Sequence, residues 1–466
     1  MTDYYDLIVI GGGPGGYKCA ISAARSGLKV ACIDKNNVFG GTCLRVGCIP
    51  SKILLHSSYQ YVYTKNDLSK FGIKIKEINF DLEKMLKYKD TKVQELGKGI
   101  EYLFSLHKIT KINGLGKIIA FDQNDLKVLV KNKILKTKNI VIATGSDVNS
   151  LSSINFDEKN IISSTSALSL NEIPKKLVVI GAGPIGLEMS SIWKRLGSEV
   201  IVIEPLNRIA TTLDIELSKS LLSSLQKQGI KFLLNTKIKE INQKDSSSLV
   251  IKVCSTQDSN QENIIEANKV LVAIGRKPYT DNLGIDNKIK KDNFGFIKVN
   301  NKYETNIKGI FAIGDVIGGI MLAHKAEEEG IAVAEIITGH SFHVDYKTIP
   351  SVIYTHPIVS SIGKTENELK NSGYAYKVGK CQFSANGRAR IIDDNPIGYV
   401  KVLTCSITDT ILGVHIIGTY ADMLINEAAV AMAYGAAAED IYRICHSHPD
   451  INEAFRDACT DAFFKK

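Results

Sequence analysis

The sequence predicts an α/β fold in which one strand–turn–helix–strand unit occurs twice, with a further α+β segment towards the C-terminus. Two observations carry the repeat. Residues 7–34 read LIVIGGGPGGYKCAISAARSGLKVACID, and residues 177–204 read LVVIGAGPIGLEMSSIWKRLGSEVIVIE. In each, an apolar strand runs into G-x-G-x-x-G, a helical stretch follows, and a second apolar strand ends in a carboxylate. The third observation is length: 466 residues suffice for about three domains.

The residue pattern justifies each element in turn. Tyr17, Ala20, Ile21 and Ala24 fall at i, i+3, i+4 and i+7, the spacing of one buried helix face. Ile185, Met189, Ile192 and Leu196 present the second helix in much the same way. Gly11 and Gly181 allow the tight turn, Gly13 and Gly183 let a pyrophosphate approach the backbone, and Gly16 and Gly186 let helix and strand pack closely. The helix N-terminus then offers unpaired N–H groups and a partial positive charge to the phosphates. Asp34 and Glu204 each lie 23 residues beyond the first glycine of their turn, placed to accept hydrogen bonds from an adenosine ribose. Both units therefore read as Rossmann-like dinucleotide-binding domains. A carboxylate at 204 repels a 2′-phosphate, so the second unit is expected to take NAD in preference to NADP. Two dinucleotides in one chain imply electron transfer between them.

The other segments are less specific. Residues 64–104 read as helical, and 109–142 as short strands ending at Ile140-Val141-Ile142-Ala143-Thr144-Gly145. Residues 242–264 read as a solvated hairpin around Leu249-Val250-Ile251, and the apolar stretch 424–438 as a buried helix.

Composition excludes several classes. With 44% hydrophobic and 23% charged residues the chain is neither disordered nor a disulfide-stapled miniature. Its 58 basic and 49 acidic residues give +9 without any block of like charge, so no nucleic-acid partner is expected. Nine cysteines, an odd number without zinc-finger spacing, suit a reducing compartment and suggest no metal site. No uncharged apolar run reaches the ~18 residues of a membrane span, and no secretory or Arg-rich leader pattern precedes Leu7. The expectation is a cytoplasmic protein with no membrane partner.

Residues 40–52 read GGTCLRVGCIPSK. On spacing alone, Cys43 and Cys48 are either two buried cysteines without a special role or a redox pair. Five residues of regular helix rise ~7.5 Å, beyond the ~6.8 Å limit for bridged Cα atoms. A bond between them therefore needs a distorted turn, which Gly47 and Pro50 are suited to provide. Such a strained bond would be labile.

GGTCLRVGCIPSK resembles the redox-disulfide signature of the flavin-linked pyridine nucleotide-disulfide oxidoreductases, in the version carried by the dihydrolipoamide dehydrogenases. The resemblance extends through Ala143-Thr144-Gly145, Glu188, Ala273-Ile274-Gly275-Arg276, Gly314-Asp315 and Met321-Leu322-Ala323-His324-Lys325-Ala326. It continues through Asn386-Gly387-Arg388-Ala389 to Cys445-His446-Ser447-His448-Pro449 and Glu453. It implies one FAD per subunit in the first fold, closed over by Thr144, Gly145 and the Gly314-Asp315 turn, with Leu322, Ala323 and His324 along the flavin ring. It implies NAD in the second fold, with Gly275 at its edge. Lys52 would lie near the isoalloxazine and pair with Glu188.

The resemblance also makes Cys43 and Cys48 the redox-active disulfide. His448 becomes the acid–base residue, with a cis peptide bond to Pro449, and Glu453 the carboxylate that orients it. Imidazole suits this role because its pKa is near neutral and thiol attack needs a thiolate. Asp450-x-x-Glu453 also has the form of a capping box, and both readings of Glu453 can hold.

In such enzymes the histidine reaches the disulfide of the other subunit, which implies a homodimer. The implied reaction oxidises protein-bound dihydrolipoamide and reduces NAD⁺. The implied partners are lipoyl domains of 2-oxoacid dehydrogenase complexes, with glycine-cleavage H protein as a further candidate. The chain divides on this reading into an FAD-binding domain 1–148, an NAD-binding domain 149–276, a central segment 277–347 completing the FAD site, and a dimerisation domain 348–466.

Alternatives are a glutathione or mercuric reductase and a non-catalytic flavoprotein docking subunit. Glu204 opposes the first, the ending Phe463-Phe464-Lys465-Lys466 lacks the cysteine pair of the second, and intact Cys43, Cys48, His448 and Glu453 oppose the third. Departures from the family pattern are Arg45, Ile358, Asp450 and Asn452. Arg45 is expected to add positive charge beside Cys43 and lower its thiol pKa.

Overall fold

The computed structural model describes residues 4–151, 154–246, 248–258 and 260–465. The chain divides into two compact units, each assembled from separate stretches. Among the described residues no helix is long and apolar enough to cross a membrane.

The first unit comprises 1–54, 81–149 and 275–344. Its centre is a seven-stranded sheet. Strands Thr110–Asn113, Val30–Asp34, Tyr4–Ile10 and Lys133–Ile142 lie side by side and parallel. Ile310–Ala312 joins them parallel to Lys133–Ile142. Leu126–Val130 and Gly116–Ala120 extend the sheet antiparallel, the strands read in 109–142. Leu7, Ile8 and Val9 are wholly buried because the sheet is covered on both faces, which is why the strand has no polar alternation.

Helix Pro14–Arg25 starts at Gly13, with Pro at its first position, where the missing N–H costs nothing. Its buried positions are Gly15, Gly16, Cys19, Ala20, Ile21 and Ala23. Tyr17 and Ala24 are only partly covered, so the predicted face is rotated. The reason is helix Ala323–Ile337, whose Ala326 and Gly330 backbones press on Gly15: a Cβ at Gly330 would lie 2.4 Å from the Gly15 carbonyl.

The second unit comprises 55–80, 150–274 and 345–466. One part repeats the parallel design, with Lys231–Leu233, Glu199–Ile203, Lys176–Ile180, Lys269–Val272 and Ile161–Ile162 in that order. Helix Pro184–Arg195 starts at Gly183, again with Pro at its first turn. The predicted hairpin at 242–264 is instead a three-stranded antiparallel sheet, Thr236–Asp245, Ser248–Ser255 and Glu262–Ala267. Leu249, Ile251 and Val253 are buried on one of its faces, so the segment is solvated on one side only.

The other part is a five-stranded antiparallel sheet. Its order is Ser351–Ile353, Ile358–Gly363, Ile411–Gly418, Tyr399–Cys405 and Tyr376–Gln382. Helices Ala421–Ala433 and Glu453–Phe464 share its core through Leu424, Ile425, Ala428, Phe455 and Ala458. The stretch 424–438 is thus helical to Ala433 but not buried all round: Val430 is 61% and Tyr434 88% exposed.

Candidate functional site

The two glycine turns are built alike. Gly11 has φ +109°, and a Cβ there would lie 2.2 Å from the Ala143 carbonyl oxygen. At Gly16 a Cβ would meet the Gly11 carbonyl at 1.8 Å, and at Gly186 the Gly181 carbonyl at 2.1 Å, so helix and turn are in backbone contact. Gly13 and Gly183 differ: a Cβ would meet only Gly41 Cα at 3.7 Å in one case and nothing within 4 Å in the other. That open space lies at a helix N-terminus, where a pyrophosphate is received.

The terminal carboxylates brace these turns. Asp34 Oδ2 accepts from the Gly12 N–H at 2.8 Å, and Oδ1 from the Asn36 N–H at 2.8 Å. Glu204 Oε2 accepts from the Ala182 N–H at 2.8 Å, and Oε1 from the Leu206 N–H at 3.0 Å. A carboxylate offers about four acceptor positions, so lone pairs remain for ribose hydroxyls. Arg45 lies within reach of Asp34. Burial lowers its guanidinium pKa, and the opposing charge it feels is Asp34. Its Nε is buried and has no hydrogen-bond partner among the described residues. An orphaned cationic donor and an open glycine cradle fit an anionic dinucleotide in the first unit.

Further residues expected at this site interlock within the same unit. Thr144 Oγ1 donates to the Tyr279 carbonyl at 2.6 Å, and Gly145 and Gly275 both have positive φ. Ser146 Oγ donates to Asp315 Oδ2 at 2.5 Å. The 3₁₀ turn Gly314–Ile317 that carries Asp315 is held by two residues that sequence reasoning missed. Lys325 Nζ donates to the Gly318 carbonyl at 3.0 Å, and Glu329 Oε2 accepts the Gly314 N–H at 2.7 Å. Lys325 and Glu329 pair at 3.0 Å, both buried. Their i,i+4 spacing was visible in the sequence, but such pairs are usually surface features. Leu322 and Ala323 are half-buried and His324 exposed at the start of the same helix.

The cysteine segment breaks as its composition requires. Helix Gly41–Val46 stops at Gly47, and a new helix, Cys48–Asn66, begins at the next residue. A Cβ at Gly47 would lie 2.9 Å from the Thr42 carbonyl oxygen, so glycine permits the close return of the chain. The return brings Cys43 within hydrogen-bonding contact of Cys48. That contact and burial push the Cys43 thiol pKa well up; the Lys52 charge opposes them and the Glu327 charge adds to them. Glu327 Oε1 also accepts from Tyr17 Oη at 2.8 Å. Cys43, Cys48 and Lys52 are thus brought together in the first unit.

Glu188, His448 and Glu453 belong to the second unit. Glu188 is buried, and its Oε1 accepts the Tyr354 N–H at 3.0 Å. His448 Nδ1 lies 3.0 Å from Glu453 Oε1, with the ring 78% exposed and the carboxylate 13% exposed. The peptide bond His448–Pro449 is cis. Glu453 Oε2 accepts the Asp450 N–H at 3.0 Å, which is half of a capping box. The other half is missing because Asp450 Oδ1 accepts from the Asn452 N–H instead, at 2.9 Å. The Asp450 N–H and then His448 hold the Glu453 carboxyl below its usual pKa. Ile358, another departure, packs against the core of the antiparallel sheet.

Comparisons with known proteins agree with this construction. The chain matches the family described as pyridine nucleotide-disulphide oxidoreductase over residues 5–330, and the dimerisation domain of that family over 349–459. It is 49% identical to dihydrolipoyl dehydrogenase 1, mitochondrial, of Arabidopsis thaliana, covering 100% of this chain and 91% of the relative. The mitochondrial dihydrolipoyl dehydrogenase of Sus scrofa is 47% identical, over 99% and 91%. A leghemoglobin reductase of Glycine max is 48% identical, over 100% and 88%. In fold, the HOCl-induced flavoprotein disulfide reductase RclA of Escherichia coli superposes with a TM-score of 0.85 at 24% identity, covering 98% of this chain and 99% of that one.

These relatives overturn the expectation of a cytoplasmic protein, since the dihydrolipoyl dehydrogenases among them are mitochondrial. Cysteine usage separates reducing from oxidising compartments and is silent between two reducing ones. The two glycine cradles, the broken helix between the cysteines and the full-length matches lead to one conclusion: the chain belongs to the pyridine nucleotide-disulphide oxidoreductases.

Proposed function

We propose that this protein is a dihydrolipoyl dehydrogenase, oxidising the dihydrolipoamide of lipoyl domains in 2-oxoacid dehydrogenase complexes and reducing NAD⁺. The observation that carries the reading is the contact between Cys43 and Cys48 across the Gly47 break, beside the Lys52 charge. Identity of nearly half over the full chain to dihydrolipoyl dehydrogenases supports this substrate over glutathione or mercuric ion. Glycine-cleavage H protein carries the same dithiol group and is a further candidate partner.

When bound in the first and second cradles, FAD and NAD⁺ would supply two-electron carrier chemistry. Gly11, Gly13, Gly16, Asp34, Thr144, Gly145, Asp315, Leu322, Ala323 and His324 hold the first. Gly181, Gly183, Gly186 and Glu204 would hold the second. The chain's own residues perform the thiol chemistry. His448 Nε2 accepts the proton of a substrate thiol, and Glu453 on Nδ1 keeps the ring oriented. The resulting thiolate attacks Cys43 Sγ of the oxidised pair, forming a mixed disulfide and releasing Cys48 as thiolate. The second substrate thiol then displaces Cys43, its proton passing to the departing Cys43 Sγ, and closes the lipoamide ring. Lys52 stabilises the negative charge left on the pair.

The exposed imidazole and the exposed Met423 and Tyr434 support a homodimer, with His448 of the partner subunit serving Cys43. The decisive assay is NADH formation from NAD⁺ and dihydrolipoamide, in wild type and Cys48→Ser. No turnover by the wild type rejects the function, and robust turnover by the variant rejects the disulfide mechanism.

A further inference from the structure

One carboxylate holds the loop of His448 on both sides. Glu427 lies on helix Ala421–Ala433. Its Oε1 is 2.9 Å from His446 Nε2, and its Oε2 accepts from Asn452 Nδ2 at 2.7 Å. The side chain of His446 is only 7% exposed, and its Nδ1 lies 3.0 Å from the Ile444 carbonyl oxygen. Both ring nitrogens therefore face acceptor oxygens. The carbonyl of Asp450 accepts from Asn386 Nδ2 at 3.0 Å, and Asn386 is itself buried. On the other side, Cys459 of helix Glu453–Phe464 is buried within range of the Glu427 charge. The loop is pinned at 446, 450 and 452, on either side of a histidine whose own ring stands in solvent.

We propose that Glu427 is a positioning residue for His448, acting through His446 and Asn452. This rests on the reading of His448 as the proton acceptor given above. Glu453 fixes one nitrogen of the ring from the first residue of helix Glu453–Phe464, but its hold on the stretch 446–452 that carries the ring's backbone is at Asp450, on one side of His448. Glu427, on a second helix of the same core, grips that stretch on both sides of His448, at 446 and at 452. The role also explains Asn452, a departure from the family pattern. An amide reaches the second carboxylate oxygen and donates to it, so that His446 and Asn452 together use both oxygens of Glu427. A displacement of about 1 Å in a reacting group costs up to roughly a hundredfold in rate.

The test uses the FAD-loaded homodimer of wild type, His448→Gln, Glu427→Gln, and Glu427→Gln combined with Asn452→Asp. In the combined variant the pair exchanges donor and acceptor, so the contact between 427 and 452 is rebuilt with opposite polarity. Dihydrolipoamide oxidation is followed across pH, with flavin content and melting temperature for each variant. Glu427→Gln is expected to lower kcat by roughly tenfold to a hundredfold, to displace one limb of the pH profile, and to leave flavin content and the KM for NAD⁺ unchanged. The combined variant is expected to recover part of the kcat. Wild-type kcat and pH profile in Glu427→Gln, alongside an inactive His448→Gln, would overturn the positioning role alone. A loss that tracks flavin content or melting temperature, with no recovery in the combined variant, would show a merely structural ion pair and overturn it as well. Full activity in His448→Gln would instead overturn the reading on which the proposal rests.

Discussion

Asp34 and Glu204 perform the same structural task in two different units: each carboxylate accepts a backbone N–H from inside its own glycine turn, at 2.8 Å in both. Strand end and turn are thereby locked together before any dinucleotide arrives. A ribose bound there would meet an acceptor whose position is already set, leaving little ordering to oppose binding.

Removing that acceptor is expected to weaken the nucleotide and loosen the turn. Glu204→Ala should raise the dissociation constant for NAD⁺ by about tenfold or more, from the ~1.5–3 kcal/mol typical of hydrogen bonds to a charged group. Titration of NAD⁺ by quenching of protein fluorescence measures it, and unchanged affinity would remove Glu204 from the site.

The glycines separate packing from binding. Gly16→Ala places a methyl 1.8 Å from the Gly11 carbonyl and should destabilise the first unit by at least ~1–3 kcal/mol, with loss of retained flavin. Gly183→Ala meets no atom within 4 Å and should leave the melting temperature nearly unchanged while weakening NAD⁺ binding. Melting curves and nucleotide titrations on the two variants would contradict this if both properties changed together in each.

Acid should destabilise the protein partly through His356. Burial, and then the Arg195 charge, lower its pKa to about 4, and its ring stacks on Tyr59 at 4.5 Å. The folded state keeps this histidine neutral while the unfolded chain protonates it near its ordinary value. Its contribution is therefore complete above about pH 6.5 and is lost as pH falls towards 4, at up to ~1.4 kcal/mol per pH unit. Melting temperatures of wild type and His356→Gln from pH 7 to pH 4 should converge as pH falls. Parallel curves would show that another group is responsible.

Lys401 is 1% exposed and bonds Asp214 at 3.0 Å, Glu216 at 3.2 Å and Glu366 at 2.5 Å. Burial alone would raise the Asp214 pKa, but His415, Lys401 and the Glu366 N–H outweigh it and hold the carboxyl low. Its stabilisation is present above the usual carboxylate range and disappears as pH falls through the lowered value. Lys401→Met strands the buried Asp214 and should cost about 3–5 kcal/mol. Adding Asp214→Asn should restore part of that loss in denaturant titrations at saturating FAD; no recovery would place the cost elsewhere.

Local pattern alone determined much of this protein. Each nucleotide unit is a contiguous run, so apolar strand, glycine turn, helix and closing carboxylate could be read directly from residues 7–34 and 177–204. The same holds for the break between Cys43 and Cys48, because five residues of straight helix cannot bring them together and Gly47 lies between them. Tertiary structure decided what depends on distant partners. Arg45 came to be buried within reach of the Asp34 charge, a partner that its own helix does not reveal. Lys325 and Glu329 became buried anchors of the Asp315 turn, and Glu427 came to grip His446 and Asn452. Singly, each is an ordinary polar residue; a side chain's partner across the fold follows from packing, which sequence spacing does not encode.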